Sequence, residues 1–365
     1  MVESDDIKFM QRCLDLAGKA EGLTYPNPLV GAVIVHNGKI IGEGFHLKSG
    51  ASHAEVNAIN SVSDKSLLKS SSLYVNLEPC SHFGKTPPCA DLIISCSIPR
   101  VVIGTTDTSD KVSGQGIDRL KRSGCEVETG VLEEECRRLN RRFFTATEKK
   151  RPYIILKWAQ SADGYIDILR KRDHKNKPAW ITGNPEKILV HKWRSYEQSI
   201  LVGAGTVRAD DPQLNVREWT GNQPLRIVLS SSGAIDKNSL LFRTNGTFIV
   251  FTGNMNSDLP GIVKIRLKEG ISASEQIVSY LFSKGIHSLF VEGGAEVLNH
   301  FISEGYWDEA RIFTGEMYFN EGVKAPALEN ERLTARVYYG KSKLEIYIRE
   351  GSEYSKEFDN VNNNW

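Results

Sequence analysis

SSLYVNLEPCSHFGKTPPCADLII, residues 71–94, is the stretch on which the fold turns. Residues 71–77 are rich in apolar and β-favouring side chains and predict a strand, which Glu78-Pro79-Cys80 ends. From 89 to 94 the apolar spacing changes to that of a helix. Upstream, His53-Ala54-Glu55 opens another helical stretch, with Val56, Ala58 and Ile59 as its apolar residues. Helices interleaved with strands predict a layered α/β sheet. His53, Cys80 and Cys89 then fall at a strand end and two helix starts, where peptide dipoles favour thiolates and anionic ligands.

One imidazole and two thiolates fill three corners of a tetrahedral zinc site and leave the fourth for water. Zinc lowers the pKa of that water towards neutrality. Glu55, two residues from His53, is close enough to handle its protons without being a ligand. Attack on an amidine-like ring carbon, with the carboxylate passing protons to the departing nitrogen, is hydrolytic deamination. Nucleobase deaminases use a histidine, a glutamate and a Pro-Cys-x-x-Cys pair for it. Here residues 81–88 separate the two thiols, so a loop has been let into the site. Two alternatives stay open on the residues alone. The three side chains are core residues with structural thiols, or His82 supplies a fourth ligand and closes a structural zinc.

At 365 residues the chain is long for one core, and two domains are expected. Its 40% hydrophobic and 25% charged residues are those of a soluble globular protein. A net charge of +1 offers no electrostatic footprint for nucleic acid, and no stretch is apolar enough to span a bilayer. The acidic start MVESDDIKFM is unlike a secretory signal. Six scattered cysteines, two of them claimed for metal, point to a reducing compartment. A cytoplasmic enzyme with no nucleic-acid or membrane partner is the expectation.

Ser4 or Asp5 caps a first helix whose apolar face is Ile7, Met10, Cys13, Leu14 and Ala17. Residues 30–35 and 39–44 form a hairpin closed by Asn37-Gly38. Helix 53–62, strand 71–77, helix 89–96, strand 100–104 and helices near 115–123 and 131–144 complete a first domain, 1–146. A polar linker, 147–151, follows. The texture then restarts with strand 153–159 and further strands at 199–203, 225–230, 247–252, 287–292 and 308–314. Residues 152–365 are expected to be a second α/β domain, with 351–365 a polar tail.

Two glycine-bearing strand ends stand out, Ile200-Leu201-Val202-Gly203-Ala204-Gly205-Thr206 and Leu289-Phe290-Val291-Glu292-Gly293-Gly294-Ala295. Such turns bring backbone N–H groups to a phosphate, or are simply tight. Neither carries the full G-x-G-x-x-G fingerprint, so a standard Rossmann domain is not supported. Asp210-Asp211-Pro212 reads as a carboxylate pair or as an ordinary turn. Lys157, beside Trp158 in an apolar strand, lies on an exposed sheet face or aims at a substrate anion. Arg170-Lys171-Arg172, with Lys175 and Lys177, reads as a solvated hairpin tip or an anion clamp.

Six segments together carry a resemblance that runs through nearly the whole chain. They are Tyr25-Pro26-Asn27-Pro28-Leu29-Val30-Gly31-Ala32-Val33, His53-Ala54-Glu55-Val56, residues 78–89, Trp180-Ile181-Thr182-Gly183, Gly205-Thr206 with Asp210-Asp211-Pro212, and Val291-Glu292-Gly293-Gly294. The chain resembles the bifunctional deaminase–reductases of riboflavin biosynthesis. The resemblance implies a cytidine-deaminase-like three-layer sandwich followed by a dihydrofolate-reductase-like α/β domain, with one Zn2+ per chain and NADPH as cofactors. It implies deamination of 2,5-diamino-6-ribosylamino-4(3H)-pyrimidinone 5′-phosphate, then reduction of the ribosyl group to give 5-amino-6-ribitylamino-uracil 5′-phosphate.

The same resemblance implies the residue roles. Glu55 would move protons, His53, Cys80 and Cys89 would hold zinc, and Asn27, His46, His82 and Lys85 would hold the first substrate. In the second domain Lys157 and Glu292 would be catalytic, and Arg194, Asp210, Leu214 and Arg217 would contact substrate. Ala159, Trp180, Thr206, Gly293 and Gly294 would contact the cofactor. A homo-oligomer acting on a small phosphorylated pyrimidine is expected. Two positions depart from the family pattern. Pro178 stands where many members have serine, and Asp107-Thr108-Ser109-Asp110 replaces Asp-Pro-Asn-Pro. Neither change touches a residue assigned to catalysis, so both activities are expected to be intact.

Overall fold

Alternation along one strand sets the architecture of the first unit. In β1 (Gly31–His36), Ala32 and Ile34 point to one side and Val33 and Val35 to the other, and all four are buried. A strand buried on both faces needs a helical layer on each. The computed structural model describes residues 4–81, 87–109, 113–169, 179–256, 262–352 and 354, in two compact units, Met1–Lys150 and Arg151–Trp365.

In the first unit β1 pairs antiparallel with β2 (Lys39–Phe45) and β3 (Ser72–Leu77). Asn37 and Gly38 take φ of +48° and +72°, the geometry of the expected hairpin turn. β4 (Arg100–Thr105) and β5 (Glu126–Thr129) continue in parallel, giving the order β2-β1-β3-β4-β5. Helix α1 (Ser4–Gly18) covers one face with Phe9, Met10, Cys13 and Leu14. Helices α2 (Ala54–Ser61), α3 (Cys89–Ser95) and α4 (Gln115–Arg122) cover the other with Ala58, Ile93 and Leu120. Cys136 of α5 (Glu133–Leu139) joins the α1 side. This is the three-layer sandwich expected from the sequence.

Three details differ from the sequence reading. Ile7, expected on the apolar face of α1, is 44% exposed. The helix expected near 131–144 is two helices, α5 and α6 (Arg141–Lys149), broken at Asn140. The Asn140 side chain accepts from Leu29 N at 2.7 Å and donates to Leu29 O at 2.9 Å, which draws its backbone out of helical register. Residues 147–149, read as linker, form the last turn of α6.

β2 carries Gly42 and Gly44 where it meets α2. A Cβ on Gly44 would lie 2.4 Å from Ala58 N and 2.6 Å from Ala54 O, so strand and helix backbones touch. Because His53 caps α2 and Glu55 lies in its first turn, this contact sets the depth of both. Gly44→Ala is expected to lower stability by about 1–3 kcal/mol. A reduced Tm, with weaker zinc retention in a chelator competition, checks it.

The second unit is built on a nine-stranded sheet. Its elements are β6 (Tyr153–Gln160), β7 (Tyr165–Asp167), α7 (Asn184–Tyr196), β8 (Ser199–Gly203), α8 (Ala204–Asp210), β9 (Leu225–Leu229), α9 (Leu240–Arg243) and β10 (Phe248–Thr252). β11 (Val263–Arg266), α10 (Ala273–Ser283), β12 (Ser288–Val291), α11 (Ala295–Ser303), β13 (Glu309–Thr314), β14 (Val323–Lys324), β15 (Glu331–Tyr339) and β16 (Ser342–Arg349) follow. The order is β11-β10-β9-β8-β12-β6-β13-β16-β15, parallel from β11 through β13 and antiparallel beyond; β7 and β14 pair separately. Leu189 and Trp193 of α7 pack on Ile155, Val202 and Phe290, while α10 and α11 pack Ile277 and Leu298 on the opposite face. Cover on both faces explains why these strands read as unbroken apolar runs.

Candidate active sites

The first unit brings His53, Cys80 and Cys89 together although they come from three segments. Cys80 follows the end of β3, Cys89 opens α3, and His53 is the extended residue that precedes α2. His53 Nδ1 lies 3.5 Å from Cys80 Sγ and 3.3 Å from Cys89 Sγ, and the three ligand atoms all lie within 4.8 Å of one another. Tetrahedral zinc, with bonds of ~2.0 Å to nitrogen and ~2.3 Å to sulfur, needs donor separations of about 3.6 Å. Two soft thiolates and an imidazole in this arrangement fit that ion. Hydrogen bonds from Cys89 and then His53 hold the Cys80 thiol down to about 4, while its bond to Cys80 and burial push Cys89 up.

Glu55 lies in the first turn of α2, only 3% exposed, and burial raises its carboxyl to about 7. His46 packs edge-on to His53, with ring centroids 5.6 Å apart. Its Nδ1 is 3.1 Å from Ser52 O and so carries the hydrogen, leaving Nε2 to accept from Asn27 Nδ2 at 3.1 Å. Burial lowers the His46 pKa, in keeping with a neutral ring. Asn27 and His46 thus lie beside His53 of the metal cluster. His82 and Lys85 lie outside the described residues, as do Pro178, Asp110 and the basic run from Arg170.

Sequence reasoning passed over Glu78, which the fold makes a clamp. Its carboxylate is 4% exposed and accepts four backbone N–H groups: Asp107 at 3.2 Å, Gly114 at 3.0 Å, Gly116 at 2.9 Å and Ile117 at 3.2 Å. The loop after β4 and the start of α4 are thereby fastened to the strand end that carries Cys80. An acidic residue directly before Pro-Cys was the available signal. Glu78→Gln puts an amide donor among converging donors and is expected to cost about 1–3 kcal/mol. Lower thermal stability and faster loss of zinc to a chelator are the readouts.

In the second unit β8, β12 and β6 are parallel neighbours, and their carboxyl ends are where open α/β sheets bind ligands. Val291 pairs with Leu156, so Glu292 and Lys157 come next along adjacent strands. Lys157 Nζ lies 3.7 Å from Glu292 Oε2. Arg194 of α7 grips the same carboxylate with two bonds, Nε to Oε1 at 2.5 Å and a second nitrogen to Oε2 at 2.8 Å. Burial alone would raise the Glu292 pKa, but the Arg194 and Lys157 charges hold it down at about 2. Burial lowers the Lys157 pKa, against the pull of Glu292.

The two glycine turns meet. Gly203 N donates to Gly293 O at 3.3 Å, and Thr206 Oγ1 stands 3.2 Å from where a Cβ on Gly294 would lie. Ala159 lies on β6 opposite Phe313. Trp180 is 59% exposed and has Lys187 Nζ 6.0 Å from its ring centre. Asp210 ends α8, and the side chain of its neighbour Asp211 accepts from Leu240 N, at the start of α9, at 2.8 Å. The Leu214 side chain is buried at φ +52°, which leaves its backbone for any substrate contact. Arg217 donates to Asn215 Oδ1 at 3.1 Å.

A three-layer sandwich holding one histidine, two thiolates and a buried glutamate at helix starts defines a zinc-dependent deaminase of the cytidine-deaminase class, here followed by a second α/β domain. The comparisons agree for both halves. The cytidine and deoxycytidylate deaminase zinc-binding region matches residues 3–105, and the RibD C-terminal domain matches residues 152–319. The riboflavin biosynthesis protein RibD of Aquifex aeolicus is 38% identical over 351 residues, covering 94% of this chain and 96% of that protein. The Escherichia coli protein of the same name is 33% identical over 326 residues, 84% of this chain and 87% of its own. The solved diaminohydroxyphosphoribosylaminopyrimidine deaminase/5-amino-6-(5-phosphoribosylamino)uracil reductase of Thermotoga maritima is similar at TM-score 0.86 and 37% identity, covering 94% of this chain and 99% of that one. Acinetobacter baumannii RibD gives 0.84 at 30% identity, covering 94% and 98%. The chain belongs to the RibD family, the bifunctional deaminase–reductases of riboflavin biosynthesis.

Proposed function

We propose that His53, Cys80 and Cys89 hold the zinc, that Glu55 is the proton carrier of the deaminase, and that Lys157 and Glu292 serve the reductase. The observation that carries the first half is the convergence of three donor atoms within 4.8 Å beside a buried carboxylate. When bound, zinc lowers the pKa of water towards neutrality and so provides a nucleophile. Glu55 takes a proton from the attacking water and gives it to the ring nitrogen. It then carries a second proton to the departing amino group, which leaves as ammonia while the ring carbon becomes a carbonyl. Asn27 and His46, with His82 and Lys85, orient the ring and its phosphate.

In the second half, NADPH supplies a hydride when bound beside Thr206, Gly293 and Gly294, with Ala159 and Trp180 as further contacts. Lys157 gives a proton to the ribose ring oxygen as the ring opens to the imine, and C1′ then receives the hydride. Glu292, held charged by Arg194, keeps the Lys157 ammonium in place. Arg194, Asp210, Leu214 and Arg217 hold the substrate. A division into an N-terminal deaminase domain and a C-terminal reductase domain is supported by the two compact units, Met1–Lys150 and Arg151–Trp365. Six free cysteines support a reducing, cytoplasmic setting, and a homo-oligomer, open to light scattering, completes the reading.

Mass spectrometry of the diamino-pyrimidinone ribotide after incubation with zinc-loaded enzyme tests both steps. Exchange of one amino nitrogen for oxygen without cofactor, then gain of two hydrogens only with NADPH, is the expected result. Deamination without reduction sinks the second half, and no change at all sinks both.

A further inference from the structure

One face of α7 is sewn to the segment 215–218 at three successive points. Arg194 donates to Asn215 O at 3.2 Å, His191 Nδ1 accepts from Arg217 N at 3.2 Å, and Lys187 Nζ donates to Glu218 Oε1 at 2.9 Å. Positions 187, 191 and 194 share a helix face, so the stripe runs antiparallel to the segment it holds. Arg217 sits at its centre. Its side chain is 38% exposed and is steered only weakly, by Asn215 Oδ1 at 3.1 Å and by Glu218 at 3.8 Å. The direction of its guanidinium therefore depends on where the backbone of Arg217 is held: His191 accepts its N–H, and Gln223 Nε2 donates to Val216 O of the same peptide unit at 2.7 Å.

We infer that His191 is a positioning residue of the reductase, setting Arg217 to take the phosphate of the substrate and so making the site selective for phosphorylated substrates. The inference rests on the reading of Arg217 as a substrate residue and names its ligand chemistry. Lys157 and Arg194 both pair with the carboxylate of Glu292, Arg217 lies within electrostatic reach of Arg194 and Glu292, and Lys187 is bonded to Glu218. That surplus of positive charge suits a dianion. His191 is 2% exposed, and burial with the Arg194 and Arg217 charges lowers its pKa to about 4. The ring stays neutral with Nδ1 bare, the state in which it can accept the Arg217 N–H.

The test is steady-state reduction of the deaminated ribotide and of its dephosphorylated form by the full-length enzyme, with NADPH affinity as the check on folding. His191→Phe is expected to raise KM for the ribotide about tenfold at nearly unchanged kcat, and to match wild type on the dephosphorylated form. His191→Asn, whose Oδ1 can take the place of Nδ1, is expected to restore KM to within about threefold. Should His191→Phe lose NADPH binding, His191→Leu set against His191→Asn gives the same contrast. Equal losses on both substrates, or an unchanged KM, overturn the inference. Arg217→Ala separates the two layers. A raised KM there with none in His191→Phe sinks the positioning role alone, whereas an unchanged KM in Arg217→Ala removes the substrate reading beneath it.

Discussion

Glu55→Gln abolishes deamination while zinc stays at roughly one per chain and reduction of the already deaminated ribotide continues at the wild-type rate: this is the largest effect expected. The glutamine keeps the shape of the side chain and its buried place in the first turn of α2 but cannot carry a proton. Deamination needs two proton transfers through that one atom group, so the loss is expected to reach at least ~10³-fold. Zinc content by elemental analysis decides the interpretation. Loss of metal would make Glu55 a structural residue. Retained metal with retained deamination would mean that another group carries the protons.

Lys157→Ala is the mirror experiment in the second unit. Reduction should fall by about 10²–10³-fold, with deamination unchanged. Glu292 keeps its two-bonded grip on Arg194 in this variant, so no buried carboxylate is stranded and the fold should survive. Saturable NADPH binding, measured by fluorescence, verifies that. If both reactions fall together, the division of labour between the two units is wrong. The pH behaviour follows from the same cluster. The folded Glu292 carboxyl lies at about 2 against an ordinary 4.5, so its stabilising contribution is complete above about pH 4.5 and is lost as pH falls towards 2. Melting followed between pH 7 and 3 should show this acid loss, and Glu292→Gln should flatten it from a lower starting stability.

Some of the fold was legible because short-range rules decide it. Asn37-Gly38 specifies a hairpin turn by itself, since both residues tolerate positive φ, and the expected hairpin is there. Runs buried on both faces, such as β8 and β12, announce themselves by lacking any alternation. The C-terminal hairpin β15–β16 escaped notice because β15 is an edge strand whose residues alternate between exposed and half-buried, with charges along it. The helix expected near 131–144 was misjudged for another reason. Asn140 obeys a partner in the loop at Leu29, and no local propensity carries that information.

The candidate site divides in the same way. His53, Glu55, Cys80 and Cys89 could be read from the chain because metal chemistry restricts ligands to few residue types. Lys157 was legible as a charge within an apolar strand, whereas Glu292 was marked out only by the family resemblance. That they touch each other, and that Arg194 holds the pair, depends on the register of β6 beside β12 and on the rotation of α7. Glu78 and His191 look like ordinary polar residues until the fold brings four N–H groups to one and the Arg217 backbone to the other.

By itself the sequence determined the donor types on offer, an imidazole, two thiols and a neighbouring carboxylate, because that depends on residue type and local turn geometry. Only the tertiary structure decided which side chains work as groups and which residues hold them in place. Those relations are fixed by strand register and helix rotation, which sum many weak contacts between distant residues, and no short stretch of sequence encodes such a sum.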